Sequence, residues 1–277
     1  MKTSIIYAVV GVFCLFLGLP PQAKSSCTNP NSILNASYGW EIEQGLIAAG
    51  NTPGPKVGDF FSLATTGHLT FDGSGNLSGA HDTDFGGIFF HVVDSGTYSV
   101  NADCTTGTLA IPADGLTLSI VILGGGQEII FTSATARRVF SGTLRLMASP
   151  TCSASTLGGN SYAFATRGLV VATVAVGFPR IGGFVPFSNA GQISFNSEGS
   201  VSGVDNVNLG GVFSPGQPIA GTYSVNSDCT GTTTMTIAGV DRSWNFVILQ
   251  DADQIIFITT KSGVLWSGTL TKESRTL

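Results

Sequence analysis

The amino-acid sequence predicts an all-β protein of two tandem antiparallel domains, each an eight-stranded barrel. Three observations carry that expectation. The stretch Gly96-Thr97-Tyr98-Ser99-Val100-Asn101-Ala102-Asp103-Cys104-Thr105 returns as Gly221-Thr222-Tyr223-Ser224-Val225-Asn226-Ser227-Asp228-Cys229-Thr230, and nearly all of the chain aligns in two copies around it. Within each copy apolar and polar residues alternate with a period of two, as in strands with one buried face. Turn-forming glycines, asparagines and aspartates interrupt these runs at short intervals, as in consecutive hairpins.

In chain order, the first residues read as an export signal over residues 1–25. Lys2 supplies the positive end, residues 5–19 form an apolar run, Pro20 and Pro21 end it, and Ala23-Lys24-Ser25 offers small residues for cleavage. The apolar run is about 15 residues, short of the roughly 20 needed to cross a bilayer, so the reading is a cleaved leader and not a membrane anchor. Cys27 follows Ala23-Lys24-Ser25-Ser26 and not an apolar lipobox, which argues against a lipid anchor. The first domain then occupies residues 26–149 and the second 150–277, with the boundary near residues 148–151.

The two copies align throughout. Tyr38-Gly39-Trp40 matches Tyr162-Ala163-Phe164, Pro55-Lys56-Val57-Gly58 matches Pro179-Arg180-Ile181-Gly182, and Gly67-His68-Leu69-Thr70-Phe71 matches Gly191-Gln192-Ile193-Ser194-Phe195. Further on, Ile129-Ile130-Phe131 answers Ile255-Ile256-Phe257, and both copies close on Ser-Gly-Thr-Leu after an aromatic, Phe140 and Trp266. Leu69 and Phe71, Tyr98 and Val100, and Phe140 and Leu144 each alternate with polar neighbours. The continuous apolar runs 118–123 and 246–249 suggest strands covered on both faces. Turns are expected at 72–76, 124–127 and 250–253, and no amphipathic helix is evident in the mature chain. About eight antiparallel strands per copy can close into an up-and-down barrel, which removes exposed edges; a pair of β-sandwiches is the alternative.

Cleavage of the leader removes Cys14 and leaves four cysteines in an oxidising compartment. The same interval separates Cys27 from Cys104 and Cys152 from Cys229, so one staple per copy is predicted at those pairs. A loop of that length should restrict the unfolded chain by roughly 4 to 5 kcal/mol on the entropic account. No paired C-x-x-C spacing supports a zinc site built from the four.

The repeated Gly-Thr-Tyr-Ser-Val-Asn-x-Asp-Cys-Thr, with Phe71-Asp72-Gly73-Ser74-Gly75-Asn76-Leu77-Ser78-Gly79 upstream, resembles a group of uncharacterised exported bacterial proteins that carry this unit singly or in tandem. The resemblance implies no activity. The strand layout is also similar to small eight-stranded barrels of the lipocalin and allene-oxide-cyclase kind, a likeness of architecture alone.

Charged residues are 10% of the chain, with 12 Lys plus Arg against 17 Asp plus Glu and no basic run, which excludes a nucleic-acid partner. No catalytic, cofactor or metal residue is assigned. His68, His81 and His91 have no ligand spacing and read as solvent-facing or loop residues. Glu41 and Glu43 share one face of a strand, at a separation a glycosidase pair could use, but opposite the aromatics Tyr38 and Trp40; they read as a solvated face. Asp72 to Asn76 lacks the closing glutamate of a calcium loop and reads as a hairpin turn, as Asp103 and Asp228 read as turn residues. Lys56 and Arg180 place one cation per copy in the same loop, where a barrel mouth could meet an acidic ligand group. The apolar stretch 169–178 reads as a doubly buried strand or as a patch for a partner or for the other copy.

The leading functional expectation is an exported, non-enzymatic binding or structural protein, in the periplasm or outside the cell. The alternative is a lipocalin-like carrier of a small apolar ligand, and an enzyme of barrel type comes third. Carriage predicts a cavity lined by Tyr38, Trp40, Tyr162 and Phe164, whereas a structural role predicts cores filled by them; an enzyme predicts a charged group turned inward.

Overall fold

The computed structural model describes residues 27–49, 53–148, 151–173, 177–237 and 239–274, so the expected leader lies outside the described residues, as do residues 149 and 150 at the expected domain boundary. The first barrel runs through β1 (Ser37–Ala48), β2 (Phe60–Phe71), β3 (Asn76–Phe85), β4 (Ile88–Val100), β5 (Thr106–Ile111), β6 (Leu116–Leu123) and β7 (Glu128–Ser133). Its last place is shared by the short β8 (Arg138–Val139) and by β9 (Ser141–Leu146), both of which pair with β1 and close the sheet. The second barrel closes β10 (Asn160–Val171), β11 (Phe184–Phe195), β12 (Ser200–Leu209), β13 (Val212–Val225), β14 (Thr230–Ile237), β15 (Val240–Leu249), β16 (Gln254–Thr259) and β17 (Val264–Lys272). All strand pairings within both barrels are antiparallel, and they join chain neighbours except where β7 meets β9 past the short β8 and where β1 and β10 close onto β8, β9 and β17.

Each barrel is plugged at one end by the segment that precedes its first strand. A 3-10 turn at Pro30–Ile33 and a single helical turn at Ala154–Leu157 deliver Leu34 and Leu157, both fully buried. The repeated tyrosine explains the repeated motif here. Tyr98 donates its hydroxyl to the Leu34 carbonyl at 2.8 Å, and Tyr223 donates to the Ala154 carbonyl at 2.9 Å. Disulfides Cys27–Cys104 and Cys152–Cys229 tie the same plugs to the β4–β5 and β13–β14 turns. In those turns Cys104 and Cys229 have positive φ, and Asp103 and Asp228 accept the amides of Thr105 and Thr230 at 3.0 Å each. Asp72 accepts the amides of Ser74, Gly75 and Asn76, which makes the loop a hairpin turn.

The two barrels pack against each other, and that contact explains the apolar runs. Outward-facing Val247, Leu249 and Ile256 form a cluster with Met147 under the first barrel. Run 246–249 is therefore covered on both faces, as expected. Run 118–123 is not: Val121 and Leu123 are 44% and 38% exposed, because no barrel covers the face that corresponds to the buried one on β15. Leu169, in the apolar stretch, packs with Phe184, Leu265 and Val57 of the first barrel, so it serves strand and contact together. Gly39 lies against this contact with the Leu249 side chain too close to admit a Cβ.

Candidate functional site

Buried apolar side chains fill the plugged halves of both barrels, and the inward-facing titratable groups lie in the other halves. Tyr38, Tyr162 and Phe164 are core residues; Tyr38 donates to the Gly126 carbonyl at 2.7 Å and Tyr162 to the Ala252 carbonyl at 2.8 Å. Trp40 is also buried, but one side of it borders a pocket in the first barrel. One strand position turns a titratable side chain inward in each barrel, His81 on β3 and Asp205 on β12. Opposite them in register stand Gly67 and Gly191. A Cβ at Gly67 would lie 2.5 Å from His81 Cα and, at Gly191, 3.0 Å from Asp205 Cα, with a backbone carbonyl nearer still in both cases. Backbone cannot yield as a side chain can. Gly67→Ala and Gly191→Ala should each lower stability by about 1 to 3 kcal/mol, measured by chemical denaturation, whereas Gly125→Ala, strained in φ but without close neighbours, should cost less.

In the second barrel a pocket of about 470 Å³ opens above this level. Its walls include Phe178, Phe187, Leu209, Val264 and Trp266, and Trp266 is held edge-on to Phe187 and Trp244 at centroid distances of 5.7 and 4.9 Å. The floor is a polar chain. Trp266 Nε1 donates to Thr166 Oγ1 at 2.7 Å, Thr166 donates to Asn189 Oδ1, and Asn189 Nδ2 donates to Asp205 Oδ2 at 2.9 Å. Asp205 is 1% exposed, its Oδ1 has no hydrogen-bond partner, and burial pushes its carboxyl above the usual range. Arg242, two residues before Trp244 on the inward face of β15, also lines the pocket. Burial lowers its pKa against the opposing pull of Asp205. Lys261 stands beside it at the rim, donating to the Asp241 carbonyl at 3.1 Å. The pocket thus offers apolar walls, one unused buried acceptor and two cations.

The first barrel holds a smaller pocket of about 220 Å³. His81 Nδ1 donates to Asp94 Oδ2 at 2.6 Å, and His81 Nε2 faces Asp114 Oδ2 at 4.0 Å. Trp40 stacks on the imidazole at 5.2 Å. The reading of all three histidines as solvent-facing or loop residues therefore needs correction. His81 is 6% exposed because it follows Leu77 at even spacing on β3 and so shares that residue's inward face. His91 is on the outside, bonded to Asp82 at 2.8 Å, and His68 is half-buried.

Other sequence candidates fall elsewhere. Lys56 and Arg180 line neither internal pocket. Their loops meet each other between the barrels, where Gly183 donates to the Lys56 carbonyl at 2.9 Å, while the Lys56 ammonium sits 5.5 Å from the Phe61 ring and Arg180 is exposed. Glu41 points out of the first barrel as strand parity requires, yet it is not solvated. It is 4% exposed, covered by β17, and accepts from Thr269 Oγ1 at 2.9 Å. Burial, with Glu43 adding repulsion, pushes its carboxyl up to about 7. Glu43 is exposed, and the two glutamates border one surface cleft of about 360 Å³ that Arg145 and Arg167 also line, outside the barrel.

No family model matches the chain, and no curated protein matches it in sequence. A solved structure from Nostoc punctiforme, a protein of unknown function from the DUF3598 family, aligns over 89% of this chain and 98% of its own at 8% identity and a TM-score of 0.23. A likeness at that level carries no argument about fold or function.

Proposed function

We propose that this chain is an exported, non-enzymatic binding protein whose second barrel carries a small amphiphile with an anionic end. The observation that carries the reading is the pocket of about 470 Å³ with Asp205 Oδ1 unpaired at its floor and Arg242 and Lys261 at its side. Its volume falls in the range of ordinary small-molecule sites, roughly 300 to 1,000 Å³. An apolar body fits against Phe187 and Trp266, a hydroxyl or amide N–H answers Asp205, and a carboxylate or similar anion answers the half-buried guanidinium of Arg242. The expected mouth cation is therefore replaced in this reading by Arg242 and Lys261. Two disulfides support export, since disulfides persist in oxidising compartments, and the leader expected over residues 1–25 agrees with it. Among the described residues no helix is long and apolar enough to cross a membrane.

Native mass spectrometry of protein purified gently from its exporting cell should show an added mass that disappears on denaturation, and a mature N-terminus beginning at residue 26. Decanoate titrated into stripped protein should change the tryptophan fluorescence and bind at least tenfold tighter than decanol, a difference of about 1.4 kcal/mol. Arg242→Gln should erase that preference. A bare mass together with no binding of either probe overturns carriage and leaves a structural role.

A further inference from the structure

We propose that the first barrel binds one divalent transition-metal ion, of the zinc class, between His81 and Asp114, with Asp94 as the positioning residue. Three side chains from separate elements converge there: His81 from β3, Asp94 from β4, and Asp114 from the 3-10 turn Pro112–Asp114 at the open end. One ligand atom from each lies within 4.8 Å of the other two. His81 Nε2 stands 4.0 Å from Asp114 Oδ2, and two ligand atoms bonded at about 2.0 to 2.2 Å to a tetrahedral zinc ion lie roughly 3.3 to 3.5 Å apart. An ion there draws the two atoms together by roughly 0.5 to 0.7 Å, a shift that rotation of the partly exposed Asp114 side chain supplies.

Asp94 does what a carboxylate behind a metal-binding histidine does. Its Oδ2 accepts the hydrogen bond from Nδ1–H, which fixes the tautomer and leaves the Nε2 lone pair free for a metal ion. Outside this cluster, Trp40 Nε1 is a buried donor with no partner, on the ring that stacks against His81, and within it Asp94 Oδ1 is a buried acceptor with none. Left dry, each costs on the order of 1 to 3 kcal/mol. Waters completing the coordination shell in the adjoining pocket supply an acceptor for the first and a donor for the second. Arg138, which lines the same pocket, spends its guanidinium on the Asp114 backbone carbonyl at 2.6 Å and forms no ion pair with the Asp94 or Asp114 carboxylate. One imidazole with carboxylate favours zinc and its neighbours over magnesium or calcium, which take all-oxygen sets.

The second barrel repeats the position but not the site. Asp205 stands for His81, Ile219 for Asp94 across the sheet, and the chain there offers Asn189 as its polar neighbour. The metal site belongs to one barrel, the ligand pocket to the other.

The test uses the full mature chain, stripped with a chelator. Zinc titrated by calorimetry should bind at one ion per chain, native mass spectra should gain a single zinc, and cobalt should give a visible absorption band of a low-coordinate site. Asp114→Asn, at a half-buried turn where folding is not at stake, should weaken binding at least tenfold, and His81→Gln should abolish the cobalt band. His91→Gln, on the outer surface, should bind zinc as the parent does. Absence of stoichiometric zinc in the parent overturns the proposal, and so does unchanged affinity in Asp114→Asn.

Discussion

Between about pH 4 and pH 7 the protein should lose stability as the pH rises, and above that range the loss should level off. Two carboxyls at the barrel contact produce most of this, and the buried Asp205 acts in the same direction. Burial pushes Glu41 up to about 7, and it also pushes Asp84 up to about 7 against the single amide bond from Gly87. In the unfolded chain both titrate near 4. Across the interval the native state therefore holds more protons on these groups than the unfolded state, so their contribution to the unfolding free energy is full below the unfolded values and falls as the pH rises. Each group contributes roughly 3 to 4 kcal/mol to that fall. Both face the contact between the barrels: Glu41 lies under Thr269, and the Asp84 turn continues into Gly87, whose carbonyl accepts the Gly263 amide at 2.8 Å. Glu41→Gln and Asp84→Asn keep those bonds in neutral form. Each should raise stability at pH 8, leave it nearly unchanged at pH 4, and flatten the slope. Denaturant unfolding at the two pH values measures this, and a parent slope of the opposite sign would falsify the account.

The same pair shows what the sequence could and could not reveal. Strand parity placed Glu41 opposite Trp40 and hence outside the first barrel, which is where it is. Parity carries no information on what lies beyond that outer face. A solvated glutamate and one pressed under a neighbouring barrel have the same spacing. Val121 and Val247 make the same point in reverse: both sit outward in β-branched runs, and only the second is covered. The closed antiparallel fold was legible because hairpin turns and two-residue periodicity are local. His81 and Asp205 were legible in principle, through the glycines that face them, but a lone glycine in a strand has many causes. Asp94 and Asp114 come from other strands and turns, and no spacing joins them to His81.

Removing the staples should have the other large effect, and the two should not respond alike. Each closes a separation of 77 residues, for which the chain-entropy account gives about 4 to 5 kcal/mol of stabilisation. Loss at that scale is a large share of what a single domain has. Access differs. Cys152 and Cys229 are buried in the core of the second barrel, whereas Cys27 and Cys104 are partly exposed beside the first plug. Reduction proceeds by thiolate attack on a sulfur, so exposure sets its rate. Mild reductant followed by alkylation and peptide mapping should open Cys27–Cys104 first, while Cys152–Cys229 waits for unfolding of its barrel. The first plug then loses its covalent tie and keeps the Tyr98 hydroxyl bonds to Asn31 and Leu34, the Val100 amide bond to Asn31 Oδ1 and the Gly73 amide bond to the Leu34 carbonyl, so Tyr98→Phe should be more costly after reduction than before it. Equal rates for the two disulfides, or additive effects of reduction and Tyr98→Phe, would show that tyrosine and staple do not hold one plug together.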